Sequence, residues 1–115
     1  MTVRPLTNID ILLVEDNEMN TLLASAIIQG TGANVTEADN GIDAIQLLRN
    51  RSFDLVLMDL HLPVMDGFET ATWIRENHPQ VIIMALTMQG DDESLIKMVK
   101  CGAKGYLHKN VHPAE

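Results

Sequence analysis

Short apolar runs alternate along the chain with segments in which apolar residues recur every three or four positions. Four such runs have the length of a β-strand and are followed by a polar residue; they are residues 9–14, 55–58, 81–86 and 105–107. Residues 35–38, which are half polar, are a weaker strand candidate. Apolar residues at helical spacing mark the four segments between them: Met19, Leu22, Leu23, Ala26 and Ile27; Ile42, Ile45 and Leu48; Phe68, Ala71 and Ile74; and Leu95, Met98 and Val99.

The ends of the helical segments carry residues that begin or stop a helix. Gly30 closes the first segment, and Pro79 predicts that the third ends near Asn77. Acidic residues 91–93 place negative charge on the first turn of the fourth helix, and Gly102 is its predicted C-terminal cap. Each helix therefore has predicted limits that fit between two strands.

Strands that are apolar along their whole length are typical of a parallel sheet that is buried on both faces. Their alternation with helices indicates an α/β fold. Because crossovers between parallel strands are right-handed, the chain is predicted to form a doubly wound, five-stranded parallel sheet.

The end of the chain predicts the start of a fifth helix. His112-Pro113-Ala114-Glu115 would have proline at the first helical position and an acid in the first turn. A complete helix there would cover one edge of the sheet, and without it apolar surface would be exposed. We therefore expect residues 1–115 to be a single domain that is a fragment of a longer chain, or one that a partner completes.

Composition narrows the range of functions. The 115 residues suffice for one domain, and 46% of them are hydrophobic. The formal charge of −8 argues against direct nucleic acid binding, which requires a basic surface. No apolar run approaches the roughly 20 residues of a membrane span, and the N-terminus lacks a secretory signal pattern. We therefore expect no contact with membranes. Cys101 is the only cysteine, which suits a reducing compartment, so we expect a cytoplasmic domain.

Candidate functional side chains lie at the ends of four of the five predicted strands. In an open parallel sheet the carboxyl ends of the strands share one edge, and ligands bind there. Each of these polar residues could simply mark a strand end, but the set as a whole meets a definite chemical need. It consists of Glu15, Asp16, Asp59, Thr87 and Lys109.

That need is phosphoryl transfer. Three carboxylates at one edge repel one another, and Mg²⁺ would relieve the repulsion because it prefers oxygen ligands and keeps several of its waters. A carboxylate can also act as a nucleophile and form an aspartyl phosphate. Mg²⁺, Lys109 and Thr87 would neutralise and position the phosphoryl oxygens.

The same residues lie in motifs that resemble the receiver domain of two-component response regulators. The stretch Leu62-Pro63-Val64-Met65-Asp66-Gly67 downstream of an aspartate is the specific signal, whereas an acidic pair alone is common. The match covers nearly the whole chain except the fifth helix, and it implies a flavodoxin-like sheet with strand order 2-1-3-4-5. The resemblance is carried by Glu15-Asp16, Met58-Asp59, residues 62–67, Thr87, Tyr106 and Lys109.

The resemblance implies a role for each acidic residue. Asp59 would be the phosphoacceptor, and its donor would be a phosphohistidine on a sensor histidine kinase or a phosphotransfer domain. Asp16 and Asp59 would bind Mg²⁺ directly, Glu15 would bind it through water, and the backbone carbonyl of His61 would complete the protein ligands.

The resemblance also implies a switch. Lys109 would pair with the phosphoryl group and Thr87 would hydrogen-bond it, while Tyr106 would turn inward as Thr87 moves. The added charge would thereby change the surface around the fourth helix, the fifth strand and Tyr106, which an output domain or a downstream protein would detect. The domain would assist only its own phosphorylation and dephosphorylation, so it would not be an enzyme in the usual sense.

Two positions depart from the family pattern. Asn110 follows Lys109 where receivers commonly have a proline with a cis bond, and a cis bond without proline costs about 3 kcal/mol. We therefore expect a trans bond or a strained loop, which affects the placement of Lys109. Met88 stands where the family usually has a small residue, and it would restrict access of small phosphodonors to Asp59.

Two other functions remain open. A pseudo-receiver would keep the fold without being phosphorylated and would act as a protein-binding module. The intact acidic pair, Asp59, Thr87 and Lys109 argue against it, whereas Met88 and Asn110 keep it open. An enzyme on this fold would be a flavin carrier or an aspartate-dependent phosphatase. The acidic residues Glu15, Asp16 and Glu18 would repel a flavin phosphate. Glu18 is also a poor substitute for the second aspartate of such a phosphatase.

The nature of the output also stays open. Val14-Glu15-Asp16-Asn17 with Asn20 resembles receivers attached to hybrid kinases, whereas the stretch at residues 102–107 resembles receivers that precede DNA-binding domains. Because the two resemblances conflict, the sequence does not identify the output.

Overall fold

The computed structural model describes residues 6–59, 62, 66–87 and 92–108. In these residues five strands alternate with four helices, in the predicted order. The elements are β1 (Asp10–Val14), α1 (Glu18–Gly30), β2 (Asn34–Ala38), α2 (Gly41–Asn50), β3 (Leu55–Asp59), α3 (Gly67–Asn77), β4 (Ile82–Thr87), α4 (Asp92–Cys101) and β5 (Gly105–His108).

The five strands form one parallel sheet in the order β2-β1-β3-β4-β5. Val14 of β1 is opposite Met58 of β3, and Asp59 at the end of β3 is opposite Leu86 of β4. This arrangement confirms the predicted doubly wound, flavodoxin-like fold. It also places the carboxyl ends of all five strands along one edge of the sheet, with β3 in the middle.

Helices cover both faces of the sheet. On one face α2, α3 and α4 pack against the larger core, to which they contribute buried side chains such as Leu48, Ile74 and Met98. On the other face α1 packs through Ile28 against a smaller core that includes Leu86. Buried apolar side chains from β1 and β3 contribute to both cores, which explains why these strands are apolar throughout.

Side-chain caps set the beginnings of three helices. Asn17, Asn40 and Asp66 each accept a hydrogen bond from a backbone N–H three residues later, so each satisfies a donor that the first helical turn leaves unpaired. Because Asp66 is the cap, α3 begins at Gly67, one residue before the apolar pattern begins at Phe68.

Gly102 ends α4, as the sequence predicts. Its φ of 126° is a conformation that favours glycine. Its N–H donates to the carbonyl of Val99, and the N–H of Ala103 donates to the carbonyl of Met98, both at 3.1 Å. These two bonds form a Schellman motif, which satisfies carbonyls in the last turn of the helix.

Apolar surface is exposed on the α1 side of the sheet. Ile82 of β4 is 49% exposed and Leu107 of β5 is 46% exposed, whereas Leu86, which is opposite Leu107, is buried. The predicted fifth helix at residues 112–115 lies outside the described residues, so the element that covers this surface stays a prediction. Within the described ranges, no helix is long and apolar enough to span a membrane.

Candidate functional site

Asp59 occupies the centre of the carboxyl edge of the sheet. It is the last residue of β3, which runs between β1 and β4, and only 2% of its surface is exposed. The residue before it, Met58, is fully buried in the larger core. The fold therefore holds a carboxylate at the end of its central strand on a rigid support.

Glu15 and Asp16 lie beside Asp59 because β1 is the neighbouring strand. Glu15 follows the last residue of β1, and its backbone N–H donates to the carbonyl of Ala38 in β2 at 3.0 Å. Glu15 is 3% exposed, whereas Asp16 is exposed to solvent. Oxygen atoms from the three carboxylates all lie within 4.8 Å of one another. The predicted convergence of these three residues is confirmed.

The beginning of α1 holds the Glu15 carboxylate in place. Its Oε1 accepts hydrogen bonds from the backbone N–H of Asn17 at 3.4 Å and from Nδ2 of Asn20 at 3.2 Å. The Thr21 hydroxyl donates to the Glu15 carbonyl at 3.4 Å. No role was predicted for Asn20 or Thr21, although the Asn17-x-x-Asn20 spacing was visible in the sequence.

The three carboxylates are suited chemically to a hard divalent cation. They supply oxygen ligands only, and an exposed Asp16 beside two buried acids leaves room for the waters that Mg²⁺ retains. Like charges so close together are unfavourable, particularly where burial weakens the screening by water. A cation bound there would neutralise the cluster and would leave a carboxylate beside it as a potential nucleophile.

Other predicted site residues lie on β4 and β5. Thr87 ends β4, and the backbone registers pair it with His108 of β5. Tyr106 pairs with Ala85, two residues before Thr87, and is 48% exposed. Thr87 and Tyr106 are therefore on adjacent strands near the same edge as Asp59.

The remaining predicted positions lie outside the described residues. They are the metal-binding carbonyl of His61, the phosphoryl-binding Lys109, and the two departures from the family pattern at Met88 and Asn110. Their predicted roles stay predictions.

The Asp-Gly pair of the motif at residues 62–67 has a structural role that the sequence resemblance did not reveal. Asp66 Oδ1 accepts the Glu69 N–H at 2.9 Å, and the Asp66 carbonyl accepts the Thr70 hydroxyl at 2.8 Å. Gly67 is buried at the first position of α3, and Leu62 is 9% exposed in the larger core. The motif thus supplies the cap of α3 through Asp66 and a core side chain through Leu62.

A groove of about 800 Å³ adjoins the carboxylate cluster between α1, the end of β2 and α2. Six of the residues that line it are acidic, namely Glu15, Asp16, Glu18, Glu37, Asp39 and Asp43. The surface around the site is therefore negative, which favours cations and basic partners over anions.

The comparisons with known proteins agree on one family. The family model described as the response regulator receiver domain matches residues 11–115. The transcriptional regulatory protein ZraR of Escherichia coli O157:H7 is 36% identical over 102 residues, which are 89% of this chain but 23% of that protein. The chain thus spans about a quarter of the length of this curated relative.

Two solved structures are similar in both sequence and fold. The receiver domain of a sensor histidine kinase from Pseudomonas aeruginosa PAO1, with a magnesium ion coordinated in its active-site cleft, is 36% identical with a TM-score of 0.79. That match covers 91% of this chain and 88% of the other.

The second is a co-crystal structure from Saccharomyces cerevisiae of the histidine phosphotransfer protein Ypd1 with the receiver domain of Ssk1. Its matching chain is 31% identical with a TM-score of 0.83, and the match covers 96% of this chain and 83% of that one. Together with the family-model match over residues 11–115, these similarities show that the chain belongs to the response regulator receiver domain family of two-component systems.

Proposed function

We propose that this receiver domain is a phosphoacceptor whose Asp59 takes a phosphoryl group from a phosphohistidine donor. One observation carries the proposal: a buried aspartate ends the central strand, with two more carboxylates within 4.8 Å of it. A structural role alone would not require three carboxylates so close together, because each like charge adds to the electrostatic cost of folding.

The reaction needs little from the protein besides positioning and charge. An oxygen of the Asp59 carboxylate attacks the phosphorus, the new O–P bond forms, and the P–N bond to the donor imidazole breaks. The imidazole nitrogen keeps the electron pair of that bond and takes a proton. Because β3 lies between two strands, the attacking carboxylate stays fixed while the donor approaches from solvent.

The chain's own residues fit a magnesium site. Asp16 and Asp59 would bind the ion directly, Glu15 would bind it through a water molecule, and the carbonyl of His61 would complete the set. When bound, Mg²⁺ neutralises charge on the phosphoryl oxygens during transfer. The magnesium-bound Pseudomonas receiver domain, which is 36% identical to this chain, supports a magnesium site here.

The phosphoryl group would then act on β4 and β5. Lys109 would pair with it, Thr87 would hydrogen-bond it, and the half-exposed Tyr106 would turn inward. This is a shift between two packings of α4 and β5, so a fraction of the molecules adopts the active packing without phosphate. The domain would catalyse only its own phosphorylation and dephosphorylation.

The proposed partners follow from this chemistry. A sensor histidine kinase or a histidine phosphotransfer domain would supply the phosphoryl group, as the yeast co-crystal with Ypd1 supports. An output domain or a downstream protein would receive the signal. The acidic surface gives this domain no basis for direct nucleic acid binding, and we propose that it acts in the cytoplasm.

A pseudo-receiver remains the second candidate. It is favoured by Met88 and Asn110, which depart from the family pattern beside Thr87 and Lys109. In that case the same surface would bind a partner without phosphorylation, and the carboxylate cluster would have no catalytic use.

Intact mass after incubation with Mg²⁺ and a phosphohistidine donor distinguishes the two candidates. We expect the parent to gain one phosphoryl group and Asp59→Asn to gain none. Asp54→Asn is the matched control, because it makes the same substitution just before the amino end of β3. If the parent binds Mg²⁺ and yet gains no mass with a competent donor, the pseudo-receiver is the better description.

A further inference from the structure

Asn20 is a half-buried residue of the first turn of α1 that contacts the carboxylate cluster. The backbone N–H of Asn20 donates to Oδ1 of the cap residue Asn17 at 3.0 Å. Because the cap uses only this backbone group, the side chain of Asn20 can make another contact. That side chain donates from Nδ2 to Oε1 of Glu15 at 3.2 Å. Asn20 therefore joins the helix cap to one of the three clustered acids.

The described caps of α2 and α3 do not make such a connection. In α2 the corresponding residue, Asp43, accepts a hydrogen bond from the side chain of its own cap residue Asn40 at 3.1 Å. In α3 the corresponding residue, Glu69, is exposed.

In α1 it is Glu15 that accepts the N–H of the cap residue, at 3.4 Å. A glutamate or glutamine three residues after the cap usually accepts that N–H. The first turn of α1 is thus arranged around Glu15.

We propose that Asn20 is a positioning residue that fixes the Glu15 carboxylate for cation binding. Repulsion from Asp59 and Asp16 tends to push the Glu15 side chain away from the cluster. Two donors on Oε1 hold it there, so the carboxylate needs no reordering when a cation arrives. This role rests on the proposed magnesium site and extends it to a residue that does not touch the metal.

Asn20→Ala tests the role without removing the helix cap. The cap bond uses the backbone N–H of residue 20, which alanine retains, and alanine is the residue most favourable to a helix. Asn34→Ala is the matched control, because Asn34 Nδ2 also donates to a carboxylate, that of Asp10, at 3.1 Å. That pair lies at the amino end of β1, away from the site.

Calorimetric titration with MgCl₂ at constant ionic strength measures the effect. We expect Asn20→Ala to raise the Kd for Mg²⁺ about tenfold, which is typical of removing a group that orients a metal ligand. Asn34→Ala should bind Mg²⁺ like the parent. In urea denaturation without Mg²⁺ both variants should unfold near the same concentration, because each loses one amide–carboxylate hydrogen bond.

Glu15→Ala shows whether Asn20 acts through Glu15. In the Glu15→Ala background, Asn20→Ala should change the Kd for Mg²⁺ no further, because the group that it positions is gone. An effect that persists in this background would overturn the positioning role.

Unchanged Mg²⁺ affinity in Asn20→Ala, with tight binding by the parent, would also overturn the role but would leave the proposed metal site intact. Failure of the parent to bind Mg²⁺ would instead refute the metal site itself, and the positioning role with it.

Discussion

Asp59→Asn should make the protein more stable when no divalent cation is present. Glu15 and Asp59 are almost completely buried, and their carboxylates lie within 4.8 Å of each other. At that distance and an effective dielectric constant of 20, two unit charges repel by about 3.5 kcal/mol. Asparagine keeps the shape of the side chain and removes its charge. Its oxygen accepts weaker hydrogen bonds than a carboxylate does, so we expect a net gain of about 1–2 kcal/mol.

Urea denaturation with EDTA and then with Mg²⁺ provides the assay. With EDTA, Asp59→Asn should unfold at a higher urea concentration than the parent. Mg²⁺ at one hundred times its Kd should stabilise the parent by about 2.7 kcal/mol, because the ion binds only the folded state. Asp59→Asn has lost a metal ligand, so Mg²⁺ should stabilise it less than it stabilises the parent. With Mg²⁺ present, the variant should therefore be no more stable than the parent, or less stable.

The control is Asp54→Asn, whose carboxylate lies near the other end of β3 and accepts the backbone N–H of Asp10 at 2.8 Å. The amide oxygen of the asparagine can keep that bond, so Mg²⁺ should stabilise Asp54→Asn as much as it stabilises the parent. The reasoning would be refuted if Asp59→Asn were less stable than the parent in EDTA, or if Mg²⁺ stabilised both proteins equally.

Two further predictions concern the end of α4 and the beginning of α3. Gly102→Ala should lower the free energy of unfolding by about 1–3 kcal/mol, because φ there is 126° and a Cβ would lie 3.1 Å from Cδ of Arg75. Gly30→Ala, where a Cβ meets nothing within 4 Å, should be neutral or stabilising in the same urea titration. Asp66→Ala should cost about 0.5–2 kcal/mol by removing the cap of α3, whereas Asp66→Asn, which keeps a capping oxygen, should cost much less. Equal losses from both Asp66 variants would contradict the capping role.

The fold was predictable because the core imposes a simple pattern. Buried parallel strands must be apolar on both faces, so β1 and β3 are evident in the sequence, whereas the more polar β2 gives a weaker signal. The position of the site was predictable for a related reason. Once the strands are known, parallel order brings Glu15, Asp16 and Asp59 to one edge, and the structure confirms that they meet.

The contacts of individual polar side chains were not predictable from the same pattern. Whether Asn20 faces solvent, its own cap or Glu15 depends on the path of residues 15–18, which hydrophobic periodicity does not specify. The same limit applies to Asp66, which the sequence connected with a family motif, while the structure shows that it caps α3. Each of these roles rests on a short hydrogen-bonded turn rather than on a repeating pattern.

Chemical mapping of the phosphorylated residue tests the central claim most directly. The protein is incubated with Mg²⁺ and a phosphohistidine donor, the acyl phosphate is reduced with borohydride, and the digested peptides are sequenced by mass spectrometry. Reduction converts a phosphorylated aspartate to homoserine, and we predict this product at position 59 alone. Homoserine at another aspartate, or at none after a donor that phosphorylates a known receiver domain, would contradict the assignment of Asp59 as the phosphoacceptor.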